Sequence, residues 1–342
     1  LNHERLLVRE VERAASRRGI RVEHIAQGWI LRLWRGQTVR HVHGYTFDLN
    51  PAATSAIACD KAATSAALAA SGLPHVEHRL FLHPSMARFV AHAGNWDEML
   101  RYFERCDGDV VVKDNLGTGG RGVHRARSRV ALESAVLGLF ERGQSVAMCP
   151  FVDIGEEARF VVLAGVCEAA YTKVRPTVHG DGRRTVLELL ADQITRSGLT
   201  RECGRLLANL EPDSALVLRE VPASGEVRLL NWRHNLGQGA TLALIDPRPD
   251  DPRAMLAASA ATALNLRFGS VDVVTVGGRP RVLEVNSGVM MEALATTPGG
   301  EQLAARGVRY ALASFVDMHG VSKAKSVPLG HLDQMLRGSE LF

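Results

Sequence analysis

Three residues late in the sequence have the chemistry of a hard-cation site. Asp272, Glu284 and Asn286 offer two carboxylates and an amide oxygen, ligand types that suit Mg²⁺ and leave positions for phosphate oxygens. They stand on two β-rich runs, 270–276 and 281–285, flanking Gly277-Gly278, a dipeptide of hairpin turns. Pairing the runs about that turn brings Asp272 near Glu284. Glu284 and Asn286 are two residues apart and share one face of the sheet. On these residues alone the alternative is a set of strand charges facing water. Upstream stand two lysines and a glycine loop: Lys61 at the first turn of an Ala-rich helix, where a solvated lysine is the default, Lys113 at the end of a Val-rich strand, and the loop Gly117-Thr118-Gly119-Gly120-Arg121-Gly122 that follows it. That loop fits G-x-G-x-x-G, but no helix opens on it, because the next helix waits for Ser128 as its N-cap. No Gly-Lys-[Ser/Thr] follows either. The order is strand, glycine flap, strand. Such a flap folds over a triphosphate and donates backbone N–H groups, here from Gly119, Gly120 and Gly122. A flexible surface hairpin is the alternative.

The elements that must position these groups read as an α/β chain of the α+β type. Residues 3–18 have a helical apolar face, and strands are expected at 20–25, 29–34 and 38–42. Together they form a reduced N-terminal subdomain, 1–50. Residues 51–147 form a first lobe. It holds an Ala-rich helix from near Asp60 to before Gly72, a strand at 76–81, a helix at 96–103, a strand at 109–113, the flap and a helix at 128–140. A strand at 145–152 leads through a crease into a second lobe, 148–319. Backbone groups of Phe151 and Asp153 in that crease are placed to meet an adenine ring. The second lobe continues with two strands across 160–174 turning at Ala164-Gly165, a loop with Gly180-Asp181-Gly182, and a helix capped by Thr185. Residues 201–212 are loosely patterned. A strand is expected at 215–220, then a polar loop from 231 entering a strand, a helix at 251–266, the hairpin and a last helix at 300–319. The tail, 320–342, carries no pattern.

Composition narrows the function classes. An apolar fraction of 46%, a charged fraction of 23% and a net charge of +4 over 342 residues describe a globular chain with room for two or three cores. The arginines are scattered, so no nucleic-acid partner is expected. Five cysteines, Cys59, Cys106, Cys149, Cys167 and Cys203, lie far apart with no CxxC pair, which argues for a reducing cytoplasm and against a disulfide framework or zinc knuckle. No apolar run approaches a membrane span and no leader pattern opens the sequence, so a cytoplasmic protein without a membrane partner is expected.

Five segments in order resemble the ATP-grasp enzymes, most nearly the amide-forming ligase domains of cyanophycin synthetase and bifunctional glutathione synthetase. The first runs from Thr54 to Lys61 and continues through Thr64, Leu68, Gly72 and Pro74. The second is Val111-Val112-Lys113 with the flap. The third is Gly155-Glu156-Glu157-Ala158-Arg159. The fourth comprises Arg175-Pro176, Val178, Gly180-Asp181-Gly182, Thr185, Glu188 and Leu189. The fifth is Asp272 with Glu284 and Asn286. The resemblance spans roughly residues 50–300 and implies an ATP-grasp fold whose two subdomains clamp ATP. It implies that Lys61 and Lys113 reach the nucleotide phosphates, that Glu157 holds the ribose hydroxyls, and that Asp272, Glu284 and Asn286 hold one or two Mg²⁺, for which Mn²⁺ can substitute. Departures are visible. Pro150 stands where the family often has Glu, and Ser270, not Arg, stands two residues before Asp272. Arg233, in Arg233-His234-Asn235, is the candidate to supply that charge.

The implied chemistry is γ-phosphoryl transfer to a carboxylate, giving an acyl phosphate that an amine attacks. Such transfer needs alignment and charge neutralisation more than covalent help. Lys113, Arg233 and Asn286 are the expected catalytic groups. Arg175, Arg233, Asn235 and Ser287 are the expected substrate contacts, although Arg175 could equally form a surface ion pair. The substrates implied are a small-molecule carboxylate and an amine, an amino acid or peptide, handled by a homodimer. Two rival classes stay open: a small-molecule kinase on the same fold, and a non-catalytic nucleotide-binding module.

Overall fold

The computed structural model describes residues 5–90, 95–197, 200–208 and 217–290. At the N-terminus α1 (Leu6–Ser16) buries Leu7, Val8, Val11, Ala14 and Ala15 against an antiparallel sheet. Its strands are β1 (Arg21–Ile25), β2 (Ile30–Arg35), β3 (Thr38–His43) and β4 (Thr46–Phe47), in that order. Leu31 and Leu33 point inward while Arg32 between them faces water, the period-two alternation of a half-buried sheet.

The Ala-rich segment forms two helices, α2 (Ala52–Cys59) and α3 (Lys61–Ala70), and α2 was not expected. Asp60 separates them, because its extended backbone ends α2 while its carboxylate accepts from Ala63 N–H (2.7 Å) and caps α3. The first lobe continues with a sheet of β5 (Arg79–Phe81), β6 (Val110–Asp114), β7 (Val123–Ala126) and β8 (Val146–Pro150), ordered β5-β8-β6-β7. On it pack α4 (Trp96–Arg105), capped by Asn95, and α5 (Arg129–Glu141), capped by Ser128. The strand expected at 76–81 is shorter than read. Val76 N–H instead donates to Val282 O (2.8 Å), tying this segment to the second lobe.

The second lobe is built on a five-stranded antiparallel sheet. It comprises β9 (Glu156–Leu163), β10 (Val166–Val174), β13 (Thr241–Ile245), β14 (Phe268–Val276) and β15 (Arg279–Asn286), ordered β13-β10-β9-β14-β15. One face, through Phe160, Val162, Val271 and Val273, buries α8 (Pro252–Ala263) together with Ala58 of α2 and Leu68 of α3. The helices α2 and α3 thus lie within 51–147 in sequence yet complete the core of the second lobe.

The other face is divided, and β14 shows how. Phe268 packs edge-on to Phe47 at 5.2 Å within the N-terminal core. Val274 packs with Val76, Val111 and Cys149 against the first lobe. Full burial of a side chain such as Phe268 is worth roughly 2–3 kcal/mol. Between these two apolar contacts the same strand face carries Ser270 and Asp272.

An insertion of β11 (Thr177–His179), α6 (Val186–Ser197), α7 (Thr200–Ala208) and β12 (Val227–Leu229) follows β10. Thr185 and Glu188 cap α6 reciprocally. Gly180 has no space for a Cβ, which would collide with the Ala223 carbonyl. Three expectations need correction here. Residues 177–179 form a strand where a loop was expected, because they pair with 227–229. The loosely patterned 201–212 begins within α7. The described part of the strand expected at 215–220 is a turn. Its Leu218 and Glu220 carbonyls accept from Leu187 and Val186 N–H, satisfying the unpaired amides at the start of α6. The helix expected at 300–319 and the tail, 320–342, lie outside the described residues.

Candidate active site

Lys61 is the first residue of α3, and its side chain is almost wholly buried. Its ammonium donates to the carbonyls of Asn115 (3.3 Å) and Gly117 (2.6 Å), at the root of the glycine flap. Asn115 returns the tie, its Oδ1 accepting from Ala62 N–H at 3.1 Å. Glu284 Oε1 lies 3.9 Å from the ammonium, across the boundary between the lobes. Burial lowers the pKa of Lys61, Lys113 lowers it further, and Glu284 only partly offsets this. Lys113 lies on β6 and donates to His78 Nε2 at 2.9 Å. Nothing in the sequence marked His78 as part of the site.

Asp272 and Glu284 lie near one another, as the turn at Gly277-Gly278 implied; they are direct partners across β14 and β15 because a bulge between Asp272 and Val273 shifts the ladder by one residue, and Ser270 faces Asn286 in the same ladder. What the turn could not show is the partner on the other side. Asp272, 1% exposed, accepts from Arg159 Nε and Nη2, both at 2.6 Å, and from Lys173 at 3.1 Å. Lys173 also bonds Glu157. The registers Asp272↔Arg159 and Glu157↔Lys173 on three neighbouring strands produce this chain of four alternating charges. Burial alone would raise the Asp272 pKa, but Arg159 and Lys173 outweigh it and hold it at about 2. Burial pushes Glu157 up by more than Lys173 brings it down. The hairpin turning at Ala164-Gly165 brings the region of Lys173 beside Glu157, and an irregularity between Cys167 and Ala169 moves the partner of Glu157 from Thr172 to Lys173.

The donor set fits Mg²⁺ in the chemistry of its oxygen ligands. Glu284 is half-buried, and Asn286 beside it has a buried Nδ2 without a hydrogen-bond partner, as does Ser270 Oγ. Asp272 joins them only if Arg159 and Lys173 release it. Among the described residues no group of three or more His, Cys, Asp or Glu is arranged to hold a metal ion.

The flap is docked on the loop 231–239 of the second lobe. Arg233 Nη2 donates to Val123 O and Gln238 Nε2 to Gly120 O, both at 2.9 Å. Gly120 has φ +72°, and a Cβ there would come within 2.7 Å of the Asn235 side chain. Asn235 Oδ1 fixes the loop by accepting from Gly237 N–H (2.8 Å), and Arg205 of α7 supports it through Leu236 O (3.0 Å). His234 is buried, with Nδ1 3.9 Å from Glu157 Oε2. Burial, then Arg175 and Lys173, push its pKa down to about 4. Gly119 and Gly122 also take left-handed backbone. A cavity of about 550 Å³ opens on the α5 side of the flap, lined by Asp114, Arg121, His124, Arg142 and Gln144.

The remaining expected residues are spread around the crease. Phe151 stacks beneath Arg125, 3.2 Å from ring centre to guanidinium, and its N–H is taken by Asp109 O (3.0 Å). An adenine would therefore meet its carbonyl. Asp153 is exposed in the linker between β8 and β9, and Arg175 is half-buried just after β10. Ser287 is buried, with Oγ 3.3 Å from Cys59 Sγ.

No family model matches the chain. Its sequence is 27% identical over 297 residues to a cyanophycin synthetase of Nostoc sp., covering 82% of this chain and 31% of that protein. It is 28% identical over 197 residues to the glutathione biosynthesis bifunctional protein GshAB of Streptococcus mutans, covering 54% of this chain and 26% of that one. The chain thus spans about a third or less of the length of these curated relatives. The crystal structure of a bifunctional glutathione synthetase from Pasteurella multocida matches with a TM-score of 0.54 at 17% identity, over 91% of this chain and 44% of that one.

Proposed function

We propose that this chain, which has the ATP-grasp fold, is an ATP-dependent ligase that activates a carboxylate as an acyl phosphate and joins it to an amine. One observation supports this above the rest. Lys61 meets Glu284 at 3.9 Å, with Lys113 near it on β6, beside a glycine flap latched by Arg233 and Gln238. This suits a polyphosphate whose terminal group is to be moved. Lys61, Lys113 and the N–H groups of Gly119, Gly120 and Gly122 take the phosphates. Glu157, once released by Lys173, would take the ribose, and Phe151 and Asp153 are assigned to the adenine. Glu284, Asn286 and a released Asp272 would hold Mg²⁺, which when bound neutralises phosphate charge.

A carboxylate oxygen of the acid attacks the γ-phosphorus, and the bond to the β-bridging oxygen breaks with ADP as leaving group. The amine then attacks the acyl carbon and expels phosphate. Arg233, at the edge of the flap, is assigned to hold first the γ-phosphoryl oxygens and then the tetrahedral oxyanion. Loss of such a group typically costs about 3 kcal/mol, or a hundredfold. Arg175, Asn235 and Ser287 border the remaining space and are assigned to the acid and amine, an amino acid or peptide. All five cysteines are free thiols, which suits the cytoplasm as the site of reaction. No helix among the described residues is long and apolar enough to cross a membrane. A homodimer is part of the same proposal, and sedimentation measures it.

The deciding experiment supplies ATP, Mg²⁺ and a panel of carboxylates with hydroxylamine as the amine. A ligase forms hydroxamate and ADP. ADP with a stable phosphate ester identifies a kinase. AMP with pyrophosphate refutes acyl phosphate chemistry.

A further inference from the structure

We propose that His78 is a positioning residue, a neutral imidazole that aims the Lys113 ammonium at the polyphosphate without cancelling its charge. This rests on the reading of Lys113 as a phosphate-binding lysine. Lysine has only donors, so His78 Nε2 at 2.9 Å must accept. Its proton then sits on Nδ1, which is 3.0 Å from Val76 O and donates to it. Both ring nitrogens are used, and the ring is fixed in one tautomer. The residue is also fixed through its backbone, His78 N–H donating to Ser65 Oγ at 2.9 Å. Ser65 lies on α3, whose first residue is Lys61. A single helix thus sets both lysines.

The kind of acceptor carries the functional content. The hydrogen bonds of Lys61 go to two backbone carbonyls, with the Glu284 carboxylate farther off at 3.9 Å, and that of Lys113 goes to a neutral imidazole. Lys173, at the same cleft, is held by two carboxylates, Glu157 and Asp272. A carboxylate partner neutralises an ammonium, whereas a neutral partner orients it and leaves its field for an anion. His78 is buried among cations and remains neutral. Burial first, then Lys113, Lys61 and His75, hold its pKa well below 6.5. Cys149, the other group next to Lys113, is kept as a thiol by burial.

The test uses the full chain and calorimetric affinities for ATP and AMP. His78→Gln places an amide oxygen near the Nε2 position, His78→Phe keeps the ring volume without an acceptor, and Lys113→Ala is the reference. His78→Gln should stay within about threefold of wild type for ATP. His78→Phe should lose roughly tenfold for ATP, the worth of one hydrogen bond to a charged group, with AMP unchanged. His78→Phe/Lys113→Ala should be no weaker than Lys113→Ala alone. If Lys113→Ala weakens ATP but His78→Phe does not, or if His78→Phe weakens ATP and AMP equally, His78 has no positioning role. If wild type binds AMP and ATP alike, the nucleotide reading falls and this proposal falls with it. Nitrogen NMR of wild type gives a readout that needs no variant to fold. Nε2 must be unprotonated and must shift on ATP addition, and an Nε2–H tautomer overturns the assignment.

Discussion

Replacing Asp272 by Asn tests the buried charge chain, and the sign of the effect is informative. Asp272 is the acidic partner of Arg159 and shares Lys173 with Glu157, so the four groups sum to zero charge. Asp272→Asn leaves two buried cations facing one carboxylate. Breaking a buried pair from one side costs about 3–5 kcal/mol. An unfolding entropy of about 2.1 cal/mol/K per residue over 342 residues gives about 0.7 kcal/mol per degree. The midpoint should therefore fall by about 4–7 °C. Circular dichroism melts at pH 7 without nucleotide or metal measure it. Adding Arg159→Met to Asp272→Asn removes the orphaned cation and should recover part of the loss. The coupling between the two changes should be at least about 1 kcal/mol. A rise in midpoint would mean that Asp272 stands in an excess of negative charge, as in an empty metal site, and strictly additive losses would mean that the pair is not coupled. Either result refutes the balanced chain.

Glu284→Gln should melt within about 2 °C of wild type, because Glu284 is half-exposed, yet lose at least about a hundredfold in Mg²⁺-dependent hydroxamate formation; near-normal turnover at saturating Mg²⁺ removes it from the metal set. Gly120→Ala forces a Cβ against Asn235 on left-handed backbone and should weaken ATP binding several-fold by displacing the flap, with little change in overall stability; unaltered affinity would show that the latch does not matter for the nucleotide. His234 has a folded pKa of about 4, below its unfolded value near 6.5, so the unfolded chain binds a proton that the folded chain refuses. Stability should be full above pH 6.5 and fall by up to about 3 kcal/mol toward pH 4, and His234→Gln should flatten that part of a urea-midpoint profile.

Local chemistry made much of the fold readable. Asp60 and Ser128 are helix caps whose meaning does not depend on distant residues, and Gly277-Gly278 marks the turn that brings Asp272 near Glu284. The pairing itself could not be counted, because a bulge between Asp272 and Val273 moves the partner of Asp272 from Leu283 to Glu284. The part that was hidden depends on which strands meet. Arg159 is 113 residues from Asp272 and Lys173 is 99 away, and nothing local says that β9 lies between β10 and β14. The pairing of 177–179 with 227–229 is hidden in the same way. His78 is invisible for a different reason. A histidine in a short strand-like run carries no signature, and its role exists only because β6 passes beside it.

The latch between the lobes is asymmetric. Arg233 and Gln238 supply side chains, while the flap answers with the carbonyls of Val123 and Gly120. Every residue type carries a carbonyl, so side chains at Thr118, Arg121 and Val123 can change without removing an acceptor. Arg205 reaches Leu236 by the same kind of bond. Sequence drift in the flap therefore leaves the latch intact, whereas drift at Arg233 or Gln238 does not. A chain built this way can exchange side chains along the flap while keeping the contacts that hold it on the loop 231–239.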